Sequence, residues 1–279
     1  MKIAEFTEIS YRVDQGVAHV VLDHPERRNA WGGTMAVEYR WALHHADNDP
    51  DVRVVVLSGA GDHFCVGADQ KLLSDIEMRN GKYDVKRAEA PPFPEGTPPE
   101  LQRNHLAPLS VSTPIIAAIR GGCAGAGFVL ATYADLRYVG RNSRISSSFA
   151  KLGLPAEFGI AWILPRLMGI PNAAQILYFA DVIDGVEAAR LGWAQAVFDD
   201  DVVVEEALDA ARRLATSSSG QSLRSMKRQL FRDAAASLGD AYSRSVEDMN
   251  AALTHPDLGE GIRAQRERRS PDFRTKNQD

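Results

Sequence analysis

The run from Pro114 to Asp135 constrains the fold of this chain more than any other. Apolar residues Ile115-Ile116-Ala117-Ala118-Ile119 lead through Arg120 into Gly121-Gly122-Cys123-Ala124-Gly125-Ala126-Gly127, and a second apolar stretch runs from Phe128 to Ala134. The first stretch reads as a buried strand, the glycines as a turn and the second stretch as a helix. Glycines let the backbone come close to a ligand or to another segment. The first amides of a helix have no internal partners, and the helix dipole favours negative charge there. A phosphate or a developing oxyanion would suit that place. The P-loop ending and a full G-x-G-x-x-G fingerprint are both missing. Tight strand-to-helix packing also uses glycines, so the turn alone leaves the occupant open.

The rest of the chain alternates in the same way. Residues 17–22, 52–57, 114–119 and 145–148 predict short buried strands. Met35, Tyr39, Leu43 and Ala46 recur at helical spacing and predict a helix from Thr34 to Ala46. Strands alternating with helices mean α/β architecture. With 279 residues, 44% apolar and 25% charged, the composition is that of a globular domain. A net charge of −5 argues against a nucleic-acid partner. No stretch has signal-peptide or membrane-span length, so a cytoplasmic protein with no membrane association is expected. Cys65 and Cys123 cannot form a disulfide framework and read as small packing residues beside their turns rather than nucleophiles. The seven histidines show no metal-ligand spacing, and no metal site is expected.

A second segment, His63-Phe64-Cys65-Val66-Gly67-Ala68-Asp69, follows the strand 52–57 and the turn Ser58–Asp62. Together with the glycine turn it resembles the crotonase superfamily of enoyl-CoA hydratases and isomerases. Further matching stretches are Asp23–Ala30, Ala134–Arg137, Gly153–Gly159 with Leu164–Leu167, and Gly259–Ile262. The resemblance implies a crotonase-like spiral of ββα units over residues 1–199 and a C-terminal helical oligomerisation segment over 200–279. In that segment Val204, Leu208, Ala211 and Ala215 line one helical face. Leu223, Met226, Leu230 and Phe231 line a second, and Tyr242, Val246, Met249 and Leu253 a third. Such stripes must be buried on the chain's own core or on a partner. The resemblance implies a homotrimer or homohexamer.

Similar proteins act on acyl-CoA thioesters through an enolate, whose oxygen two backbone N–H groups stabilise. Carried over position by position, those donors are Ala68 and Ala126. The family usually has glycine at the second position; alanine keeps the N–H provided its φ is negative. Arg28, Ala30, Val66, Ala68, Asp69, Gly125 and Ala126 are the positions implied to hold the substrate and its CoA, which enters as part of the substrate, with no separate cofactor. Asp69 also reads as a helix cap and Asp135 as a structural hydrogen-bonding residue. Classical hydratases of the family use two glutamates. Val129 and Phe149 stand at those positions here, so the two-glutamate hydratase mechanism is not expected. Glu157 stands where related dienoyl-CoA isomerases and aromatic-CoA dehalogenases carry an acidic residue. Its apolar neighbours Leu154, Phe158 and Ile160 would raise its pKa towards a useful value, although a lone loop glutamate is often merely solvated. The expected function is an acyl-CoA lyase or isomerase with Glu157 as its single acid/base. The alternative is a non-catalytic acyl-CoA-binding homologue.

Other readings stay two-sided. The proline-rich stretch 80–104 is either an active-site flap or a solvated insertion. Arg263–Arg274 is either a CoA-phosphate contact or a solvated face. His63 could touch substrate but reads first as part of a surface turn. Trp31 and Trp162 could line an acyl pocket, with core packing as the default.

Overall fold

The computed structural model of the protein describes residues 1–69, 74, 89–233 and 236–273. Its frame is a six-stranded sheet in the order β1 (Ile9–Asp14), β2 (Val17–Leu22), β3 (Val54–Gly59), β4 (Ile115–Ile119), β6 (Leu136–Gly140) and β8 (Ala196–Phe198). β1 and β2 are antiparallel, joined at Gln15 and Gly16, which both have positive φ as a tight hairpin turn requires. Every later pairing in this sheet is parallel: Val17 lies opposite Val54, Val55 opposite Ile115, and Ile116 opposite Leu136.

Parallel neighbours require long crossovers. Here each crossover makes a short strand before its helix, and the short strands build a second layer. β5 (Gly122–Ala124) pairs with β7 (Arg144–Ser146), and single bridges Trp31–Ala68, Cys65–Cys123 and Ile145–Ile183 continue the row. Helices α1 (Gly33–Asn48), α3 (Ala126–Thr132) and α4 (Ile160–Phe179, broken at Gly169) close successive turns; α2 (Ala107–Ser110) is a single turn leading into β4, and α5 (Gly185–Arg190) precedes β8. This is the spiral of ββα units that the resemblance implied. The strands expected at 17–22, 52–57, 114–119 and 145–148 lie at 17–22, 54–59, 115–119 and 144–146, and the expected helix 34–46 is longer at both ends. The strand ends at Ser146, and Ser148 beyond it takes φ +63°.

The sheet is apolar on both faces, which is why its strands read as continuous apolar runs. Val55, Leu57, Ile115, Ala117 and Ile119 face the main core with α1, α3 and α4. Val54, Val56, Ile116 and Ala118 face a second core supplied by α6 (Val203–Ser217) through Ala207, Leu208, Ala211 and Ala215. The first stripe of the C-terminal segment is thus covered by the chain's own strands.

The remaining helices, α7 (Gly220–Arg232), α8 (Leu238–Leu253) and α9 (Pro256–Glu267), behave otherwise. In α7 the buried side chains are polar. Lys227, 3% exposed, binds the Asp135 carboxylate and the Thr113 carbonyl, both at 2.9 Å, while Arg224 binds Asp47 at 2.9 Å. Leu223 and Phe231 pack on the chain's own cores, whereas Met226, Leu230, Tyr242, Met249 and Leu253 are all exposed. Among the described residues, no helix is long and apolar enough to cross a membrane.

Candidate active site

Three backbone segments converge on one corner of the second layer. The Arg28 carbonyl accepts the Val66 N–H at 3.3 Å, the Gly67 carbonyl accepts the Trp31 N–H at 2.7 Å, and the Trp31 carbonyl accepts the Asp69 N–H at 3.1 Å. On the other side, Cys65 exchanges backbone bonds with Gly122 and Ala124 at 3.1 and 3.0 Å. Asn29, fully buried, ties the corner together: its amide donates to the carbonyls of Ala60 and His63 at 2.9 and 2.7 Å. Arg28, Ala30, Val66, Ala68 and Asp69, singled out from distant parts of the chain, therefore form one surface.

The glycine turn meets that surface through its backbone. Gly127 lies so close to the Cys65 carbonyl that a Cβ would run into the oxygen. Gly125 takes φ +49° and ψ −115°, a conformation that a side chain disfavours, and a Cβ on it would sit 3.6 Å from the Gly67 Cα. Those two glycines bring the start of α3 against the strand that carries Ala68. Ala126 is the first residue of α3 and is not among the residues with positive φ, so its methyl group is tolerated and its N–H is kept. Among the described residues no backbone carbonyl accepts the N–H of Ala68 or of Ala126. Unpaired donors on half-buried residues, one on each of these two packed segments, are suited to hold a negatively charged oxygen.

Val129 and Phe149, at the two usual glutamate positions, are buried in the main core. Glu157 is half-buried on the loop before α4, and burial pushes its carboxyl above the ordinary carboxylate range. Beside it lies a cavity of about 340 Å³ lined by Phe149, Leu154, Pro155, Ala156, Ala173 and Leu177 among others. The loop is pinned to the glycine-turn helix: the buried Tyr133, its C-cap residue, donates its hydroxyl to the Phe158 carbonyl at 2.5 Å. The Phe158 ring stacks on His105 with 3.7 Å between centroids. Neither Tyr133 nor His105 was singled out for this place by sequence. They are 25 and 53 residues from Phe158 in the chain, and no motif links them.

The other candidates fall into place as structure. His63 accepts the Gly122 N–H at 3.0 Å and so braces the glycine turn. Asp135 accepts the Ile115 N–H at 2.7 Å besides its ion pair with Lys227. Asp69 pairs with Arg27 at 2.9 Å, and the helix it was expected to cap lies outside the described residues. Both cysteines are buried, and burial pushes the Cys65 thiol up to about 12, which fits packing rather than nucleophilic use. Trp31 is a core residue, but Trp162 corrects the default of core packing: it is 40% exposed beneath the Arg166 guanidinium. In the basic end, Arg263 and Arg269 are paired with Glu260 at 3.0 and 2.6 Å, and Arg274 lies outside the described residues. Of the stretch 80–104, residues 80–88 also lie outside them. Residues 89–104 are fastened to α1, where the buried Arg40 binds the Pro91 carbonyl at 2.5 Å and Asn104 at 2.8 Å. Among the described residues, no group of three or more His, Cys, Asp or Glu side chains is placed to hold a metal ion.

Among the described residues, the unpaired amides of Ala68 and Ala126, the partly desolvated Glu157 carboxyl and the apolar cavity beside its loop are the features suited to charge and proton chemistry. Residues 12–276 match the family model of enoyl-CoA hydratase/isomerase. The chain is 29% identical over 273 residues, 95% of each chain, to the peroxisomal Delta(3,5)-Delta(2,4)-dienoyl-CoA isomerase of Arabidopsis thaliana. It is 36% identical over 203 residues, 72% of this chain and 73% of the relative, to a Mycobacterium tuberculosis protein named probable enoyl-CoA hydratase. With the 1,2-epoxyphenylacetyl-CoA isomerase of Escherichia coli it shares 29% over 270 residues, 94% and 96% of the two chains. The crystal structure of an enoyl-CoA hydratase from Polaromonas superposes with a TM-score of 0.81 at 27% identity, covering 95% of this chain and 99% of that one. The chain belongs to the enoyl-CoA hydratase/isomerase family. It is an acyl-CoA-processing enzyme of the hydratase/isomerase type.

Proposed function

We propose that the enzyme isomerises unsaturated acyl-CoA thioesters, with Glu157 as its one proton-transfer group and the amides of Ala68 and Ala126 as its oxyanion hole. The observation that carries this reading is the burial of apolar side chains at both usual glutamate positions, with the half-buried Glu157 on the loop beside the apolar cavity. The Glu157 carboxylate takes a proton from a carbon conjugated with the thioester, and the electron pair moves into the carbonyl as an enolate. The two amides hold that oxygen. Each such donor contributes roughly 3–4 kcal/mol in comparable sites. The pair then returns to form the double bond at its new position while Glu157 gives the same proton back to another carbon. No atom is gained or lost, so one group suffices, whereas adding water needs a second group to activate it. Two near-full-length relatives are named as isomerases, which supports the same choice.

The 340 Å³ cavity beside the loop suits an apolar acyl group. Arg28, Ala30, Val66 and Asp69 are assigned to the CoA portion, and the single-base reaction calls for no cofactor beyond it. The exposed apolar side chains of α7 and α8 support a homotrimer or homohexamer, since burying each is worth roughly 1.5–3 kcal/mol. Two buried free cysteines suit a reducing compartment such as the cytoplasm.

The test is Glu157→Gln, assayed on enoyl-CoA esters with the double bond at different positions. Turnover should fall by at least ~10²-fold, while the affinity for a saturated acyl-CoA, measured by calorimetry, changes little. A spectral change without a mass gain marks isomerisation; a gain of one water would refute it. Undiminished turnover in the Gln variant would remove Glu157 from the mechanism. A wild-type protein that binds these esters and turns over none would favour the non-catalytic homologue.

A further inference from the structure

Glu157 is placed by its backbone. Among the described residues no ion pair or hydrogen bond holds its carboxylate, so the direction of the side chain depends on the turn that carries it. That turn is an unfavourable one. Phe158 has φ +52° and Gly159 has φ +80°, two consecutive residues in the left-handed region, and a bulky aromatic residue there persists only when its surroundings impose it.

Two contacts impose it from opposite sides. From below, the buried Tyr133 hydroxyl donates to the Phe158 carbonyl at 2.5 Å. A Cβ on Gly159 would come within 2.9 Å of the same hydroxyl, so the turn is seated directly on it. Tyr133 is the C-cap residue of α3, so the hydroxyl ties the turn to the helix that begins at Ala126. From above, the half-exposed Phe158 ring stacks on His105 at 3.7 Å with the planes inclined by 21°. His105 is itself held: Asn104 beside it accepts from the buried Arg40, whose guanidinium also lies over the Phe93 ring at 4.0 Å. Burial brings the imidazole down to about 4, so it stacks as a neutral ring at physiological pH.

We infer that Tyr133 and His105 are positioning residues for Glu157, clamping the 157–159 turn between the glycine-turn helix and the segment fastened to Arg40. This rests on the proposed role of Glu157. Positioning of a reacting group is worth large rate factors even for displacements on the order of 1 Å. Losing either contact should therefore lower the chemical step without touching the CoA contacts.

The experiment compares Tyr133→Phe, His105→Ala, His105→Phe and Glu157→Gln in the full chain. Turnover is measured with a 3-enoyl-CoA and a 3,5-dienoyl-CoA, and binding by calorimetry with octanoyl-CoA, which also reports that each variant is folded. Tyr133→Phe and His105→Ala should each lower kcat by ~10-fold with KM and octanoyl-CoA affinity within about twofold of wild type. His105→Phe, which keeps a flat ring against Phe158, should recover most of the loss. If Glu157→Gln is inactive while Tyr133→Phe and His105→Ala retain full kcat, the clamp is wrong and the role of Glu157 stands. If His105→Phe is as impaired as His105→Ala, the imidazole acts chemically and positioning by stacking is overturned. If Glu157→Gln is fully active, the assignment of the site fails and the clamp fails with it.

Discussion

The glycine-turn corner and the C-terminal helical layer organise themselves in opposite ways. At the corner, main chain packs on main chain: Gly127 abuts the Cys65 carbonyl and Gly125 abuts Gly67. In α7 Ser225 and Lys227 are buried and Leu223 and Phe231 pack on the chain's own cores, while Met226 and Leu230 are exposed, so its apolar stripe is only partly covered. Among the described residues the corner is held by backbone packing, whereas the helical layer carries exposed apolar side chains that the proposed assembly would cover. The layer still needs the body for its orientation, because the Lys227–Asp135 and Arg224–Asp47 pairs fix which face turns out. Chemistry and assembly should therefore be separable by mutation.

The largest effect is expected at the corner. Gly127→Ala places a methyl group where the Cys65 carbonyl stands, and backbone cannot yield as a flexible side chain would. Destabilisation by ~4 kcal/mol or more, with loss of turnover and of octanoyl-CoA binding, should follow. Thermal unfolding and calorimetry report it directly. A stable Gly127→Ala variant with normal turnover would show that the corner is looser than its packing implies.

The two regions also differ in how much of them could be read in the sequence. Glycines and alternating strands carry local signals, so the strand 17–22 was legible to the residue, whereas the glycine stretch 121–127, read as one turn, contains the short strand β5 and the first residues of α3. Ala68, Ala126 and Glu157 were legible only through family resemblance, because nothing local distinguishes these two alanines from others. The helical stripes were visible too, but periodicity names a face and not its cover. Val204 and Leu208 turned out to face the chain's own sheet, while Leu230 and Tyr242 face out. Tyr133 and His105 left no trace, since their roles come from contacts across the fold with a turn far along the chain.

The helical layer should break in a different way. Leu230→Asp combined with Tyr242→Asp puts charge on two residues that are 70% and 68% exposed, so the single chain loses little. In an assembly that buries them, each charge costs several kcal/mol. Light scattering at micromolar concentration should show a trimer or hexamer for the wild type and smaller species for the double variant, with octanoyl-CoA binding retained. A wild-type monomer would overturn the assembly, and loss of binding in the variant would show that the two regions are coupled.

A smaller effect comes from His19, away from both regions. Its Nε2 lies 2.8 Å from the Ser58 hydroxyl, and its buried Nδ1 has no hydrogen-bond partner among the described residues, beside Arg12 and Arg212. Burial first, then Arg12 and Arg212 against an opposing Glu205, bring its pKa from 6.5 down to about 4. The folded protein keeps this ring neutral, whereas the unfolded chain protonates it below about 6.5, so the contribution to stability is full above that pH and is lost as pH falls towards 4. Between pH 7 and pH 5 the loss is about 2 kcal/mol. His105 acts in the same direction. Urea unfolding at fixed protein concentration should show that His19→Gln, which can still reach Ser58, loses less stability on acidification than the wild type. Equal losses would mean that His19 is more solvated than its burial indicates.

The smallest effect returns to the corner. Arg28 has φ +53°, and its carbonyl holds the Val66 N–H while its side chain stays exposed. Its backbone is part of the corner and its charge is not, so Arg28→Glu should leave the fold and kcat unaltered in chemistry but oppose an anionic CoA. Exposed charge interactions are worth about 1 kcal/mol, which is roughly a fivefold weakening for octanoyl-CoA. Screening makes the effect specific: the Debye length falls from about 8 Å at physiological ionic strength to about 3 Å at 1 M. Calorimetry at low and high salt should thus show the difference between Arg28→Glu and wild type shrinking as salt rises. A weakening that persisted in 1 M salt would point to damage of the Val66 backbone contact, and no weakening at any salt would remove the Arg28 side chain from the CoA surface.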